Sequence, residues 1–186
     1  MIKTMNQVLP KEINNDIIKL LLKQRNWGFA FDNGGIDKFI KDVIIENTSN
    51  RGFNIITYDD VLNIKLNSAL NIYADIVFCR VKEFLKINFK RPSRYFWNYY
   101  DSSSTAFEHI DSEDKNKISI IYNLHDNDGG TMINNRFYES KGGQAIIFSS
   151  NIIHKGIMSE NKKHRFNLNI IGVVWKRKKQ KLKNKK

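Results

Sequence analysis

Ile118-Ser119-Ile120-Ile121-Tyr122-Asn123-Leu124 and Arg165-Phe166-Asn167-Leu168-Asn169-Ile170-Ile171 are the two stretches whose reading decides the fold. Side chains of an extended strand alternate between two faces. In the first stretch Ile118, Ile120, Tyr122 and Leu124 share one face, and Ser119, Ile121 and Asn123 the other. In the second, Phe166, Leu168 and Ile170 oppose Arg165, Asn167 and Asn169. One face of each strand suits an apolar layer. The other is polar, and if it turns inward it must find partners, because buried polar groups left unpaired cost free energy.

Further short β-type runs surround these two, at 95–100, 131–133 and 144–148, with the last run extending over 166–175; Asn, Asp, Ser and Gly separate them. Short strands at this spacing predict an antiparallel sandwich or barrel with helices on one face. The first half of the chain reads differently. Leu9-Pro10-Lys11-Glu12, followed by Ile13, Ile17, Leu20, Leu21 and Leu22, predicts a helix with proline near its first turn. After Thr57-Tyr58-Asp59-Asp60, read as an N-cap, Leu62, Leu66, Leu70, Tyr73, Val77, Val81 and Phe84-Leu85 predict a long amphipathic helix that ends near Lys90-Arg91-Pro92. Asn33-Gly34-Gly35 and Asn50-Arg51-Gly52 are turn signals flanking a short helix or strand at 37–46. The expected class is α+β with a mainly β core. One domain is expected over 1–175, helical over 1–92 and β over 93–175, followed by a basic, disordered tail at 176–186.

Composition narrows the function. The chain has 186 residues, 41% of them hydrophobic and 27% charged, as in an ordinary globular domain. No apolar stretch reaches the roughly 20 residues of a membrane span, and the first residues lack an apolar signal core, so neither a membrane nor a secretion route is expected. Cys79, the single cysteine, reads as a small buried helix residue, and a reducing, cytoplasmic setting is expected. The formal charge of +12 is concentrated at one end: residues 176–186 carry eight Lys or Arg and no acid, which leaves 23 basic and 19 acidic residues elsewhere. Such a tail can bind nucleic acid or a ribosome through phosphates, or remain solvated without a specific partner.

The chemistry gathers at His109-Ile110-Asp111, His154 and Arg165. His109 and Asp111, two apart on an extended segment, point the same way. A second imidazole from a distant strand completes two histidines and one carboxylate on one face of a metal ion, a set that leaves coordination positions open and suits non-haem Fe(II).

From Phe107-Glu108-His109-Ile110-Asp111 the chain continues through 118–124 to Asp128-Gly129-Gly130-Thr131. Gly142-Gly143-Gln144-Ala145-Ile146-Ile147-Phe148-Ser149-Ser150-Asn151 then leads to His154 and Arg165-Phe166-Asn167-Leu168-Asn169. In the order and spacing of these pieces the sequence resembles the double-stranded β-helix (jelly-roll) core of the Fe(II)/2-oxoglutarate-dependent oxygenases, most closely the prolyl 4-hydroxylase-like branch. The resemblance implies that His109, Asp111 and His154 bind Fe(II) and form the catalytic centre, and that Arg165 pairs with the distal carboxylate of 2-oxoglutarate. It implies an oxidoreductase, a dioxygenase that uses O2, with ascorbate as a candidate further cofactor, hydroxylates a C–H bond and releases succinate and CO2. The substrate would be a small molecule or a peptide, with a prolyl residue or free amino acid first among them.

Where that family often has an inward tyrosine, this chain has Asn123, which is shorter and can still donate a hydrogen bond. Tyr99 or Tyr100 could fill a similar role; alternation turns only one inward, and Tyr100 is preferred. Asn167, two residues past Arg165, shares its face and is a further co-substrate contact. His125 reads as an exposed turn residue, His164 as facing away from Arg165, and Gly129 and Gly130 as serving backbone geometry. Two other classes compete. A catalytically idle metal-binding jelly roll, acting as sensor or scaffold, would keep the triad but has no need of Arg165. A nucleic-acid-binding module would show basic and aromatic residues interleaved on the core, and that pattern is missing.

Overall fold

The computed structural model describes residues 2–25, 27–29, 53–66, 68–101, 104, 106–161 and 164–174. At its centre the two alternating stretches pair with each other. β6 (Lys117–Asn123) runs antiparallel to β11 (His164–Val174), with Asn123 opposite Asn167 and Ser119 opposite Ile171. On the other edge of β11 lies β5 (Phe89–Asp101), with Tyr100 opposite Arg165. β9 (Ala145–Ser149) and then β1 (Ile2–Met5) extend the sheet beyond β6. β3 (Phe53–Asp59) and β2 (Gly28–Phe29) extend it beyond β5, and β4 (Ile64–Lys65) pairs with β3. A smaller sheet holds β10 (His154–Ile157), β7 (Asn127–Ile133) and β8 (Arg136–Ser140), in that order. Both sheets are antiparallel. The described residues form a jelly roll with two helices, the class the strand pattern predicts.

The alternation sorts the core into two layers. Ile120, Tyr122 and Leu124, together with Phe166, Leu168 and Ile170, pack against the helices α1 (Lys11–Leu22) and α2 (Ala69–Leu85). α2 contributes Leu70, Ala74, Val77, Phe78, Val81 and Leu85, spaced three and four apart with one adjacent pair, so a single face is buried. A buried hydrogen bond from the Tyr122 hydroxyl to Asn14 Oδ1 (2.5 Å) ties α1 to the sheet. Between the two sheets sits a smaller apolar cluster of Ile121, Ile133, Ile146 and Phe148. The rest of that inner space is polar.

Several local expectations give way. The long helix does not begin after Asp60. Residues 57–59 are strand, Asp59 Oδ1 accepts from the amides of Val61 and Leu62 in a tight turn, and Asn63 is left-handed (φ 55°), which no helix interior allows. Leu62 and Leu66 are in helical phase with Leu70 only by coincidence. The helix starts after Ser68, whose hydroxyl accepts from the Leu70 amide (3.2 Å). Pro92 does not stop an element but lies inside β5; β3 ends opposite Arg94, before the proline, and a register shift faces it on β11. Among its described residues the stretch 1–92 therefore carries four strands and the start of a fifth besides its helices. Cys79 is exposed on α2 and not buried. The turn signals at 33–35 and 50–52, the element at 37–46 and the tail at 176–186 lie outside the described residues. Among the described residues no helix is long and apolar enough to cross a membrane.

Candidate metal centre and cavity

The inward faces of both sheets enclose a cavity of about 200 Å³. β5 contributes Arg94, Phe96, Asn98 and Tyr100, every second residue; β11 contributes Arg165, Asn167 and Asn169 in the same rhythm. His154 enters from the start of β10. His109 and Asp111 arrive on an extended segment that hydrogen-bonds to it: the His109 amide donates to the His154 carbonyl (3.0 Å), and the His154 amide donates back (2.9 Å). Asp111 is fixed in turn by its amide, which donates to the Ser150 carbonyl (2.9 Å).

This backbone pairing brings the three side chains together. One donor atom from each of His109, Asp111 and His154 lies within 4.8 Å of the others. Nε2 of His109 is 3.9 Å from Asp111 Oδ1, and Nε2 of His154 is 3.5 Å from Oδ2. Each ring uses its other nitrogen in the same way: Nδ1 of His109 lies 3.1 Å from the Phe107 carbonyl, and Nδ1 of His154 lies 3.0 Å from the Ile152 carbonyl. A carbonyl only accepts, so both Nδ1 atoms carry a proton, and in the neutral ring this leaves the lone pair on Nε2. Burial pushes the His154 imidazolium down, and the Asp111 carboxylate only partly opposes it, which favours the neutral ring a metal needs.

Asp111 is the most heavily bonded of the three, with a side chain 2% exposed. Arg94 Nη2 donates to its Oδ1 (2.9 Å), the Ser119 hydroxyl to its Oδ2 (2.5 Å), and Asn169 Nδ2 lies 3.3 and 3.4 Å from the two oxygens. Burial alone would raise this carboxyl. Arg94 first, then the two imidazoles and Ser119, outweigh burial and hold it below the usual carboxylate range. Arg94, Ser119 and Asn169 were not singled out from sequence as site residues. Ser119 and Asn169 sit on the polar faces already recognised; Arg94 lies on the face of β5 that carries Tyr100.

Arg165 is 2% exposed. Its Nη1 donates to the carbonyls of Gly130 and, at 2.8 Å, Ile157, a pair facing each other across β7 and β10. Its Nε has no partner among the described residues. The guanidinium lies over the Tyr100 ring (5.2 Å). Tyr99 packs on the helix side against Phe166, and Tyr100 lines the cavity. Asn98 Nδ2 donates to Asn167 Oδ1 (2.9 Å). Asn123 is buried opposite Asn167 on the neighbouring strand, and among the described residues neither its Oδ1 nor its Nδ2 nor Thr131 Oγ1 has a partner. Asn123 is not itself among the residues lining the cavity. Gly130 cannot carry a side chain, because a Cβ would run into the Tyr138 carbonyl and the Phe137 ring.

His125 is half-buried and not solvent-exposed as expected: the Phe166 amide donates to its Nε2 (3.3 Å), which anchors the turn after β6. His164 is exposed on the face away from Arg165 and stacks on Tyr99 (6.3 Å). Neither joins the triad.

No protein-family model matches the sequence, and no curated protein matches it. The fold, by contrast, is similar to solved structures over nearly the whole chain. A prolyl 4-hydroxylase of Pseudomonas putida is 13% identical, with a TM-score of 0.61 over 95% of this chain and 92% of that one. A prolyl hydroxylase of Trichoplax adhaerens, solved with a peptide fragment of the oxygen degradation domain of hypoxia inducible factor, is 10% identical, with a TM-score of 0.65 over 92% and 83%. The non-haem α-ketoglutarate-dependent epimerase SnoN of nogalamycin biosynthesis is 9% identical, with a TM-score of 0.66 over 92% and 78%. The chain has the fold these proteins share.

Proposed function

We propose that this chain is an Fe(II)- and 2-oxoglutarate-dependent dioxygenase that hydroxylates a C–H bond. The observation that carries the reading is the convergence of His109, Asp111 and His154 on one point, with both Nε2 lone pairs turned to it by the Nδ1 bonds. Two neutral imidazoles and one carboxylate suit Fe(II) and leave positions for a chelating co-substrate and O2. The opposite end of the cavity fits the co-substrate as well. Arg165 Nε, Thr131 Oγ1 and Asn123 Nδ2 are buried without partners among the described residues, and a dicarboxylate supplies the acceptors that such donors lack. An idle metal-binding scaffold has no use for a buried arginine at that place.

When bound, Fe(II) with 2-oxoglutarate and O2 supplies oxidative decarboxylation to succinate and CO2, coupled to hydroxylation of the substrate. The chain's own part is binding and orientation. Arg165, fixed by two backbone carbonyls and by Tyr100, offers its planar donors to the distal carboxylate. Asn167, held by Asn98, and Asn123 beside it supply further donors. Ser119, Asn169 and Arg94 hold the Asp111 carboxylate ionised and in one orientation. Phe96, Phe107 and Ile121 make part of the cavity wall apolar, which limits water at the reacting position.

A prolyl residue or free proline is the first substrate to test, given the two hydroxylases of the same fold; the epimerase of that fold makes other C–H substrates candidates. The decisive assay is succinate formation by the purified protein with Fe(II), O2 and 2-oxoglutarate, with and without ascorbate, against peptide and amino-acid panels. Metal-dependent succinate release, coupled to or uncoupled from a substrate, supports the reading. Fe(II) binding without any 2-oxoglutarate turnover would leave the scaffold in its place.

A further inference from the structure

The cavity holds two guanidiniums, and 2-oxoglutarate has use for one. Resting on the dioxygenase reading, we infer that Arg94 receives an anionic group of the primary substrate, a carboxylate, on the side of the metal site away from Arg165. Strand register sets the separation. Tyr100 pairs with Arg165, and Arg94 lies six residues earlier on β5, on the same face, which at about 3.3 Å per residue is roughly 20 Å along the strand. Asp111 touches Arg94 and lies within 4 Å of both imidazole Nε2 atoms, whereas Arg165 is held at the far end of β10 by the Ile157 carbonyl, three residues past His154; the triad therefore sits at the Arg94 end of the cavity.

Arg94 is placed to bind and has capacity left. Its side chain is 27% exposed at the cavity, whereas Arg165 is almost wholly buried. Only Nη2 is engaged, on Asp111; Nη1 has no hydrogen-bond partner among the described residues. The other acids near its strand are committed: Asp59, opposite Arg94 on β3, accepts from two turn amides, and Asp60 pairs with Arg91. Charge points the same way. Arg94, Arg165 and a divalent metal bring four positive charges; Asp111 and dianionic 2-oxoglutarate bring three negative ones. The loaded cavity keeps one positive charge in excess, which a monoanionic substrate neutralises.

The test uses matched probes that differ only in charge: N-acetyl amino acids with a free carboxylate, and the same compounds as carboxamides. Each is added to the full chain saturated with Mn(II) and 2-oxoglutarate under anaerobic conditions. Paramagnetic relaxation of the probe's protons reports occupancy close to the metal without requiring turnover. Carboxylates should bind about 10-fold or more tightly than their amides, as for a charged hydrogen bond withdrawn from water. Arg94→Gln, saturated with Mn(II) and 2-oxoglutarate in the same way, should abolish that preference, and Arg94→Lys should restore part of it. Equal binding of acids and amides, a preference that survives Arg94→Gln, or binding of no carboxylate would overturn the assignment. If the wild-type chain takes up neither Mn(II) nor 2-oxoglutarate, the dioxygenase reading fails and this one with it; normal uptake of both without a carboxylate preference sinks only the role of Arg94.

Discussion

His109 and His154 hold each other by reciprocal backbone hydrogen bonds of 3.0 and 2.9 Å, and each turns its Nδ1 to the carbonyl two residues before it. The same local geometry therefore appears twice, on segments 45 positions apart. It leaves two identical lone pairs facing the Asp111 carboxylate. Replacing a ligand should act on the metal and not on the fold. His109→Ala and Asp111→Ala are each expected to weaken Mn(II) binding by about two orders of magnitude or more, beyond the loss usual for a residue that only orients a ligand. Far-ultraviolet circular dichroism should be unchanged, since the backbone bonds remain. Near-normal Mn(II) titration in either variant would remove the proposed ligand set.

Arg165→Lys probes the other end of the cavity. A lysine keeps the charge but loses the fork that reaches both backbone carbonyls and a carboxylate at once. The expected result is a rise of about tenfold or more in the Michaelis constant for 2-oxoglutarate, with Mn(II) affinity little changed. An unchanged constant would mean that the dicarboxylate is held elsewhere.

How much of this could be read beforehand follows from what is local. Alternation in 118–124 and 165–171 assigns faces without knowing any partner strand, so Arg165, Asn167 and the apolar layer were legible. So were His109 and Asp111, which share a face by spacing alone; His154 joins them only through the order and spacing of the whole run of motifs. Arg94 was not, because its meaning depends on register. It sits one residue before a recognised run and just after Lys90-Arg91-Pro92, which read as a helix end; only the pairing of β5 with β11 sets it beside Asp111. β3 was hidden for a related reason: Leu62 and Leu66 extend the helical phase of α2 backwards through a turn that Asn63 breaks.

Asn123→Leu tests whether the unpaired amide awaits a ligand. With neither polar atom of Asn123 partnered among the described residues, its burial is expected to cost the ligand-free protein about 1–3 kcal/mol. A leucine of similar volume removes that cost. The melting temperature of the ligand-free variant should match or exceed that of the wild type, while the stabilisation on adding 2-oxoglutarate with Mn(II) should shrink. A drop in ligand-free stability with an intact ligand-induced shift would assign Asn123 a structural role only.

Tyr122→Phe addresses the tie between α1 and the sheet. Burial pushes this phenol well above its ordinary range, so it remains a donor even in alkaline solution. Phenylalanine preserves the packing and leaves Asn14 Oδ1, in a side chain only 2% exposed, without its donor. A loss of about 1–3 kcal/mol is expected from urea denaturation, with an unchanged slope. A negligible loss would mean that water takes over the contact.

The last expectation concerns acid. Asp128 accepts from the Ser159 hydroxyl and from the amide (3.0 Å) and side chain (2.8 Å) of Asn161, which joins the segment after β10 to β7. The Ser159 bond first, and the Asn161 bonds after it, outweigh partial burial and hold the carboxyl below its usual range. A group with a depressed folded-state value favours the folded segment at all pH values above its unfolded value, and that contribution fades as pH falls through the folded one. The segment should therefore loosen only below about pH 4. Hydrogen exchange at the Asn161 amide, corrected for the intrinsic rate, should show protection at about pH 6 that declines toward pH 3. Asp128→Asn should lose most of this protection at every pH and with it the acid dependence. Protection in the wild type that persists unchanged to pH 3 would show that other contacts hold the segment.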